Sequence, residues 1–245
     1  MTQWMFYFDQ ERCIGCKTCT LACKEWNEGR RGDAKLSGFT DEDLEKLALP
    51  ADWHAGKGPK AYDSDFNRRN TMKENWRRVT YSVYGHKAPD IQIIPLSMGC
   101  NHCSDPACVK VCPTKAIHKE PKYGAVINDP AKCIGCGLCQ KACPWHVPQY
   151  FEDLSKTPMG AKNHPHMTKC DMCVDRLDAG LKPACVASCP ARALECLSAE
   201  EVKRRHPNAT RTAPGFDRGK AEMTNPNIRV QSQESEGLSY DDQCL

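Results

Sequence analysis

Long apolar runs are scarce in this chain of 245 residues, whose mean hydropathy is −0.63 and whose aromatic content is 7%. No segment approaches the roughly 18 consecutive apolar residues that a transmembrane helix needs, so we expect no membrane span. The opening MTQWMFYFDQ has neither a charged start nor an apolar stretch as long as those of secretory signals. We therefore expect that only a partner could carry the chain out of the cytoplasm.

Recognisable catalytic motifs are missing as well. The sequence has no GxGxxG after a predicted strand, no P-loop, no HExxH and no nucleophile elbow. These motifs mark dinucleotide-binding, nucleotide-hydrolysing, zinc-protease and α/β-hydrolase sites. We expect a chain that is not itself an enzyme.

Cysteine, in contrast, is abundant, with 18 in the chain. Sixteen of them fall into four groups of four, and every group ends with a gap of three residues between its last two cysteines. The groups are Cys13, Cys16, Cys19 and Cys23; Cys100, Cys103, Cys108 and Cys112; Cys133, Cys136, Cys139 and Cys143; and Cys170, Cys173, Cys185 and Cys189. Four thiolates are the usual ligands of one [4Fe-4S] cluster, so the sequence predicts four such clusters.

The spacing within the groups supports this prediction. The first and third groups read Cys-x2-Cys-x2-Cys-x3-Cys, a run in which the fourth cysteine ligates the neighbouring cluster. The middle gap grows to four residues after Cys103 and to eleven after Cys173. Proline follows the last cysteine in three groups, as Pro113, Pro144 and Pro190. Because proline cannot continue a helical hydrogen-bond pattern, we expect it to end the turn that carries the ligand.

Two other uses of cysteine compete with this interpretation. Zinc favours Cys-x2-Cys pairs, but its sites separate the two pairs by about a dozen residues or more, and only the fourth group taken alone matches that pattern. A disulfide scaffold needs an oxidising compartment and is typical of short secreted chains. A structural metal-binding module is therefore the alternative of a different class, and metal analysis separates it from iron-sulfur clusters.

The formal net charge of +3 counts every cysteine as neutral. Sixteen thiolates and four oxidised cluster cores would bring the charge to about −5, so the excess of lysine and arginine predicts no nucleic-acid partner. We expect the basic side chains to offset the negative clusters and to raise their reduction potentials. Because metal binding contributes folding free energy, the apoprotein should be loose or unfolded.

The order of strands and cysteine groups predicts an α+β fold with two ferredoxin-like [4Fe-4S] units related by a pseudo-twofold axis. Short strands are expected over 4–9, 91–96 and 125–128, each leading into a cysteine group. We place the outer unit at 1–27 plus 166–197 and the inner unit at 89–150. The remaining segments are an insertion with a connecting strand at 28–88, a linker at 151–165, and a C-terminal helix, over 199–206, with an extended tail within 198–245.

The insertion and the tail carry no predicted metal ligand. The part at 28–78 contains a capped helix that begins after Thr40. Its later part is either a surface excursion or a docking surface for a partner, since arginine and tryptophan are enriched at interfaces. The residues concerned are Arg68, Arg69, Trp76, Arg77 and Arg78. The tail, rich in Pro, Asn, Gly and Ser, is expected to be disordered or laid along a partner.

Five further residues have a simpler interpretation than metal binding. His102 and His146 are expected to make hydrogen bonds around the clusters, because sixteen cysteines already complete four sites. Cys196 is expected to pack as a small buried apolar residue, and Cys244 to be a free thiol. Trp145 is expected to pack against the third group.

Four stretches of the sequence resemble the four-cluster electron-transfer subunit of the dimethyl sulfoxide reductase family of molybdopterin oxidoreductases. They are CIGCKTCTLACK, CNHCSDPACVKVCPTKAIHK, CIGCGLCQKACPWHVPQY and HMTKCDMCVDRLDAGLKPACVASCPARAL. The resemblance covers nearly the whole chain apart from the insertion and the far C-terminus, and it includes the PNIRV segment at 226–230. The insertion is longer than near relatives of this family lead us to expect.

The resemblance implies that the first and fourth groups share two outer clusters, and that the second and third groups share two inner clusters. The implied ligand sets are Cys13, Cys16 and Cys19 with Cys189; Cys23 with Cys170, Cys173 and Cys185; Cys100, Cys103 and Cys108 with Cys143; and Cys112 with Cys133, Cys136 and Cys139. Some relatives have tryptophan in place of Cys136 and hold a three-iron cluster there. With Cys136 present, all four cubanes are expected to be complete.

The same resemblance implies partners for both ends of the protein. The outer clusters would face a catalytic subunit containing molybdenum or tungsten bound to molybdopterin. The inner clusters would face the electron donor or acceptor, often a quinol-reactive membrane-anchor subunit. The complex is expected at a membrane, on the extracytoplasmic face through a twin-arginine signal on the catalytic partner, with the cytoplasm as the alternative. The alternative function is the equivalent subunit of a hydrogenase, or a free-standing polyferredoxin.

Overall fold

The computed structural model describes residues 2–27, 76–84, 92–150, 167–211 and 223–231. These ranges contain both strands and short helices, and three of the four strand pairs are antiparallel, as in an α+β fold. The strands are β1 (Trp4–Asp9), β2 (Arg78–Tyr84), β3 (Gln92–Met98), β4 (Ile117–Lys119), β5 (Val126–Asn128), β6 (Leu194–Ser198) and β7 (Ile228–Gln231). The helices are α1 (Thr18–Trp26), α2 (Ala107–Lys110), α3 (Leu138–Ala142), α4 (Val174–Asp178), α5 (Ala184–Ala187) and α6 (Ala199–Arg205).

Strand β1 is the centre of a three-stranded sheet with the order β6-β1-β7. Its sequence, WMFYFD, is apolar on both faces, and both faces are buried. Phe6 and Phe8 point into the main core, which also contains several of the cysteines. Met5 and Tyr7, on the opposite face, pack with Val202 of α6. This strand therefore joins the cysteine-containing core to the C-terminal helix.

The two cysteine-bearing units repeat one arrangement of elements. In the first, β1 precedes the first cysteine group, β6 follows the fourth group, and the two strands pair antiparallel. In the second, β4 follows the second group, β5 precedes the third group, and these strands also pair antiparallel. Helix α1 packs against α5 in one unit, and α2 packs against α3 in the other. The antiparallel pairs thus bring together cysteine groups that are distant in the sequence.

The segment 76–84 connects the two units and corrects part of the interpretation of the insertion. Strand β2 pairs antiparallel with β3, and Trp76 and Arg77, just before it, are only 6% and 2% exposed. A docking surface that includes these two side chains is therefore wrong. Arg68, Arg69, the predicted helix after Thr40 and the linker at 151–165 lie outside the described residues.

The tail corrects a second expectation. Strand β7 pairs parallel with β1, placing Ile228 opposite Phe6 and Val230 opposite Phe8. Both aliphatic side chains are buried, so this part of the tail lies against its own chain and is neither disordered nor laid along a partner. The residues at 212–222 and 232–245 lie outside the described part. Within that part, no helix is long and apolar enough to cross a membrane.

The tail also holds the loop of the second cysteine group. The Asn227 side chain donates a hydrogen bond to the His102 carbonyl at 2.7 Å and accepts one from the Ser104 hydroxyl at 3.0 Å. The Asn227 amide donates to the Asn101 carbonyl, and the Ser104 amide donates to the Asn225 carbonyl, both at 2.9 Å. The segment 223–231 therefore acts as a clamp on the Cys100–Cys103 turn.

Replacing Asn227 with alanine should destabilise this clamp. The substitution removes two side-chain hydrogen bonds and leaves the buried His102 carbonyl without its donor, at a cost of about 1–3 kcal/mol. The change in the free energy of unfolding is measured by urea unfolding of the cluster-loaded protein, with the loss of cluster absorbance as the probe. The control is Asn208→Ala, which makes the same substitution at an exposed position and should change stability by less than about 0.5 kcal/mol. Equal effects of the two substitutions would contradict the clamp.

Candidate metal centres

One backbone conformation recurs in all four cysteine loops. The residue immediately before the second cysteine of each group has a positive φ, between 42° and 69°. These residues are Gly15, His102, Gly135 and Met172. Glycine adopts this left-handed conformation without strain, whereas His102 and Met172 are held in it by completely buried surroundings. A left-handed residue at this point turns each loop sharply between its first two cysteines.

Gly15 is required for a second reason. The Tyr81 hydroxyl donates a hydrogen bond to the Gly15 carbonyl at 2.6 Å. A Cβ atom on Gly15 would lie only 2.8 Å from Tyr81 Cε1, which is too close for any real contact. Strand β2 therefore supports the first cysteine loop at a point where only glycine fits.

The prolines that follow the last cysteines end their turns as predicted. The third residue after the last cysteine, which is Lys115, His146 or Arg192, has a positive φ in each of these three groups. The amide of each donates to the carbonyl of that cysteine at 3.1–3.3 Å. In the first group, where lysine replaces proline, α1 continues past Cys23 to Trp26. The proline expectation is thus confirmed.

Two cavities are each lined by four cysteines from two different groups. One cavity is bounded by Phe8, Ser97, Leu194 and other residues together with four thiols, those of Cys13, Cys16, Cys19 and Cys189. Another is bounded by Trp145, Lys169, Thr224 and others together with the thiols of Cys100, Cys103, Cys108 and Cys143. In each cavity, three thiols come from one loop and the fourth is the last cysteine of another group.

The other eight cysteines also meet across groups. Cys170 lies near Cys23 and Cys173, and Cys173 lies near Cys185. Cys139 lies near Cys133 and Cys136, and Cys112 packs against the core formed partly by Cys133 and Cys139. Within the described ranges, no three Cys, His, Asp or Glu side chains converge on a point where a single metal ion would sit.

Comparison with known proteins identifies the cofactor and the family. A family model described as a 4Fe-4S dicluster domain matches residues 91–198, and another described as a 4Fe-4S binding domain matches residues 4–25. The sequence is 37% identical over 229 residues to the B subunit of anaerobic dimethyl sulfoxide reductase of Escherichia coli (strain K12), covering 94% of this protein and 88% of that subunit. The corresponding subunit of Haemophilus influenzae is 34% identical over 242 residues, with coverage of 98% and 95%.

The protein belongs to the family of anaerobic dimethyl sulfoxide reductase iron-sulfur subunits. A formate dehydrogenase iron-sulfur subunit of Haemophilus influenzae is also similar, at 33% identity over 196 residues, which cover 80% of this protein and 51% of that subunit. The predicted resemblance and the predicted cofactor are therefore confirmed. The protein carries four [4Fe-4S] clusters and relays electrons within an oxidoreductase complex.

Eight of the sixteen predicted ligand thiols of this iron-sulfur subunit lie in surroundings that oppose ionisation. Burial, with nearby negative groups, raises the pKa of Cys13 to about 11 and the pKa values of Cys103, Cys108 and Cys173 to about 12. Cys16 and Cys112 differ, because hydrogen bonds, from Thr18 for Cys16 and from Ile117 and Thr114 for Cys112, lower their pKa values. Thiols with raised pKa values keep their protons at neutral pH, so binding iron must release protons.

Buried cations lie among the thiols, and sequence reasoning missed their position. Burial opposes the charge on the Arg77 guanidinium, but the nearby Cys185 and Cys19 thiolates hold its pKa above the usual value. Arg77 donates a hydrogen bond to the Ser97 hydroxyl at 3.1 Å and lies 4.7 Å from the Phe6 ring centre. Lys169 is also buried, immediately before a cysteine in the sequence. No local pattern distinguishes these two cations from the other 32 lysine and arginine residues of the protein.

Several neutral groups also contact the predicted ligands. The Tyr150 hydroxyl lies 3.3 Å from Cys139 Sγ, and the Ser97 hydroxyl lies 3.4 Å from Cys19 Sγ. The Ala193 amide donates to Cys189 Sγ at 3.3 Å, just after the closing proline turn. These contacts place hydrogen-bond donors around sulfur atoms, which is a general way of raising the reduction potential of a cluster.

His102, Trp145 and Cys196 lie in the surroundings that the sequence predicts. His102 lies 3.6 Å from Cys170 Sγ through Nε2, so the expected hydrogen bond at a cluster ligand is present. Trp145 packs in the core, with its ring N–H donating to the Thr224 hydroxyl at 2.9 Å, and Cys196 is buried there as well. The His146 side chain, in contrast, is exposed, and Cys244 lies outside the described residues.

Removing the clusters should destabilise the protein, and more so at high pH. The folded apoprotein holds thiol protons with pKa values of about 11–12, against 9.0 for an ordinary cysteine. Between about pH 9 and 12 the unfolded chain loses these protons first, so the stability of the apoprotein falls as pH rises. Thiolates bound to iron do not titrate, and the loaded protein should lack this loss.

The measurement is urea unfolding monitored by circular dichroism. It is made on the loaded protein and on protein stripped of its clusters anaerobically with oxidant and chelator. Both forms are compared at about pH 8 and about pH 10. The stripped form should unfold at lower urea at both values, with the larger deficit at the higher pH. A stripped form that matches the loaded one at both pH values would contradict the expectation.

Proposed function

We propose that the sixteen cysteines hold the four clusters in four ligand sets, each named after its first member. They are the Cys13 set (Cys13, Cys16, Cys19, Cys189), the Cys23 set (Cys23, Cys170, Cys173, Cys185), the Cys100 set (Cys100, Cys103, Cys108, Cys143) and the Cys112 set (Cys112, Cys133, Cys136, Cys139). The observation that carries the proposal is that two separate cavities are each lined by one complete set. Each cluster is a one-electron centre, and the chain holds the four clusters in a fixed order.

Contacts between sets support a linear order. Cys19 of the Cys13 set lies near Cys185 of the Cys23 set. Cys170 of the Cys23 set lies near Cys100 of the next set. Cys108 of the Cys100 set packs against the core around Cys133 and Cys139 of the Cys112 set. The order is therefore Cys13, Cys23, Cys100 and Cys112, with the outer unit at one end and the inner unit at the other.

Exposed cysteines at the two ends suit the entry and exit of electrons. Cys16 is exposed in the first set and Cys136 in the last. Ile14, beside Cys16, is 71% exposed, and Leu138, beside Cys136, is 44% exposed. We infer that the Cys16 end faces a molybdopterin catalytic subunit, and that the Cys136 end faces a quinol-linked membrane subunit or another redox protein. Substrate chemistry belongs to the catalytic partner, and the chain itself is not an enzyme.

The two units are proposed to be related by a pseudo-twofold axis, which their matching strand and helix pairs support. The complex is proposed to lie at a membrane, on the extracytoplasmic face. Protease treatment of intact and permeabilised cells tests this location, since a cytoplasmic subunit is cleaved only after permeabilisation of the inner membrane.

Anaerobic isolation of the native complex tests the proposed function. The protein should contain about sixteen iron atoms per chain and co-purify with a subunit that holds pterin-bound molybdenum or tungsten. A nickel-iron partner would point to a hydrogenase, and isolation without a partner would point to a polyferredoxin. Four zinc ions in place of iron would overturn the electron-transfer function.

Replacing Cys136 with serine should interrupt electron transfer at the inner end. The substitution removes one ligand of the Cys112 set, so this cluster should be converted or lost, and iron should fall below about sixteen atoms per chain. Activity with the physiological donor should be abolished, while activity with an artificial donor that reduces the catalytic subunit directly should remain. The control is Cys196→Ser, which replaces a buried thiol outside all four sets and should retain the full iron content. Full physiological activity in Cys136→Ser would place that cluster off the path.

A further inference from the structure

The strongest unassigned feature is a buried lysine at the junction between the outer and inner units. Lys169 is 5% exposed and lines the cavity of the Cys100 set. Its ammonium donates hydrogen bonds to two main-chain carbonyls, those of Val126 and, at 2.9 Å, of Cys170. Carbonyl dipoles hold the ammonium in position but do not neutralise it.

The charged neighbours of Lys169 are Asp171 and cysteines of two different ligand sets. Burial alone would lower its pKa, but the negative charge that Cys100, Cys108 and Cys170 carry when ionised, together with Asp171, holds the pKa above the ordinary lysine value. Cys100 and Cys108 belong to the Cys100 set, and Cys170 belongs to the Cys23 set. One positive charge therefore lies close to the ligands of two successive clusters.

His102 joins the same two sets by hydrogen bonding. It lies in the Cys100–Cys103 turn, yet its Nε2 is 3.6 Å from Cys170 Sγ of the Cys23 set. The Val126 amide donates to its Nδ1 at 3.0 Å, so the ring proton lies on Nε2 and points to the sulfur. Val126 thus contacts both groups, accepting from Lys169 through its carbonyl and donating to His102 through its amide.

Arg77 has an equivalent position at the junction between the Cys13 and Cys23 sets. It is buried beside Cys19 of the Cys13 set and beside Cys23, Cys170 and Cys185 of the Cys23 set. Within the described residues, a buried cation therefore lies at each of the first two junctions between sets. Such a repeated position is what charge compensation along a row of negative centres requires.

We propose that Lys169 is a positioning residue that sets the reduction potentials of the two central clusters, those of the Cys23 and Cys100 sets. The proposal rests on the ligand sets proposed above. Reduction adds one negative charge to a cluster, and a fixed positive charge in a poorly screened interior stabilises the reduced state more than the oxidised state. Lys169 forms and breaks no bond and transfers no proton while one electron passes from one central cluster to the other. It keeps both clusters reducible, so that the electron crosses between the two units.

The test is a redox titration of the purified complex, in which electron paramagnetic resonance monitors the clusters at each potential. In Lys169→Met, the reduction equilibrium constants of the two central clusters should fall by a factor of at least about ten. For a one-electron couple this is a shift of the reduction potential by about 59 mV to more negative values. The clusters of the Cys13 and Cys112 sets should shift much less. Signals are assigned with ligand variants such as Cys136→Ser, which should convert or remove the signal of the Cys112 set.

Two further variants serve as controls. Lys169→Arg keeps the positive charge and should retain potentials close to those of the unmodified protein. Lys122→Met removes the same charge from an exposed site, 59% accessible and paired with Asp178, and should leave all four potentials unchanged.

Unchanged central potentials in a fully loaded Lys169→Met protein would overturn the proposal, as would equal shifts of all four clusters. If Lys169→Met fails to assemble clusters while Lys169→Arg assembles them, the requirement for the charge is supported. If both fail, Lys169 has a structural role only and the proposal is wrong. Iron content and cluster signals of the unmodified complex test the proposed function separately, because they do not depend on Lys169.

Discussion

Sixteen thiolates gathered in a small protein interior are the constraint on which the rest of this structure depends. Each sulfur is negative when it binds iron, and most of these cysteines are buried in the described structure. Removing negative charge from water is costly unless positive charge or hydrogen-bond donors compensate for it. The chain meets this need with full charges on Arg77 and Lys169, and with donors such as the Ala193 amide and the Tyr150 hydroxyl.

Side chains of the hydrophobic core and the predicted ligand thiols line the same cavities. Phe8 and Leu194, from paired strands, line the cavity of the Cys13 set together with its thiols. Trp145 does the same for the Cys100 set, and its hydrogen bond to Thr224 ties that cavity to the C-terminal clamp. In the proposed arrangement the clusters fill the space between the loops of a chain with few aliphatic runs, and folding and cluster binding are therefore expected to be coupled.

Parts of this arrangement were predictable from local sequence. The cysteine gaps predicted the ligands, because thiols on one tight loop can reach several irons of one cluster only at a few spacings. The prolines after Cys112, Cys143 and Cys189 predicted the ends of their turns, because proline lacks the amide proton that a helix needs. The run from Trp4 to Asp9 predicted β1 with its observed bounds, since six mostly apolar residues before a loop favour a buried strand. The ligand sets came from a family resemblance, and the cysteines of two of the four sets line one cavity each.

Other parts depended on contacts between distant segments. The alternation of Ile228 and Val230 is too short to predict a strand, and its partner, β1, lies at the other end of the chain. Arg77 and Trp76 suggested an interface by composition, yet the β2–β3 hairpin carries them into the interior. Lys169 looks like any basic residue next to a ligand until Val126 and the Cys100 turn fold over it. By itself the sequence determined the number and type of the metal centres, because ligand spacing is a local property of the chain. Only the tertiary structure decided which cations are buried between the clusters and where the tail packs, because burial depends on long-range contacts that no local pattern specifies.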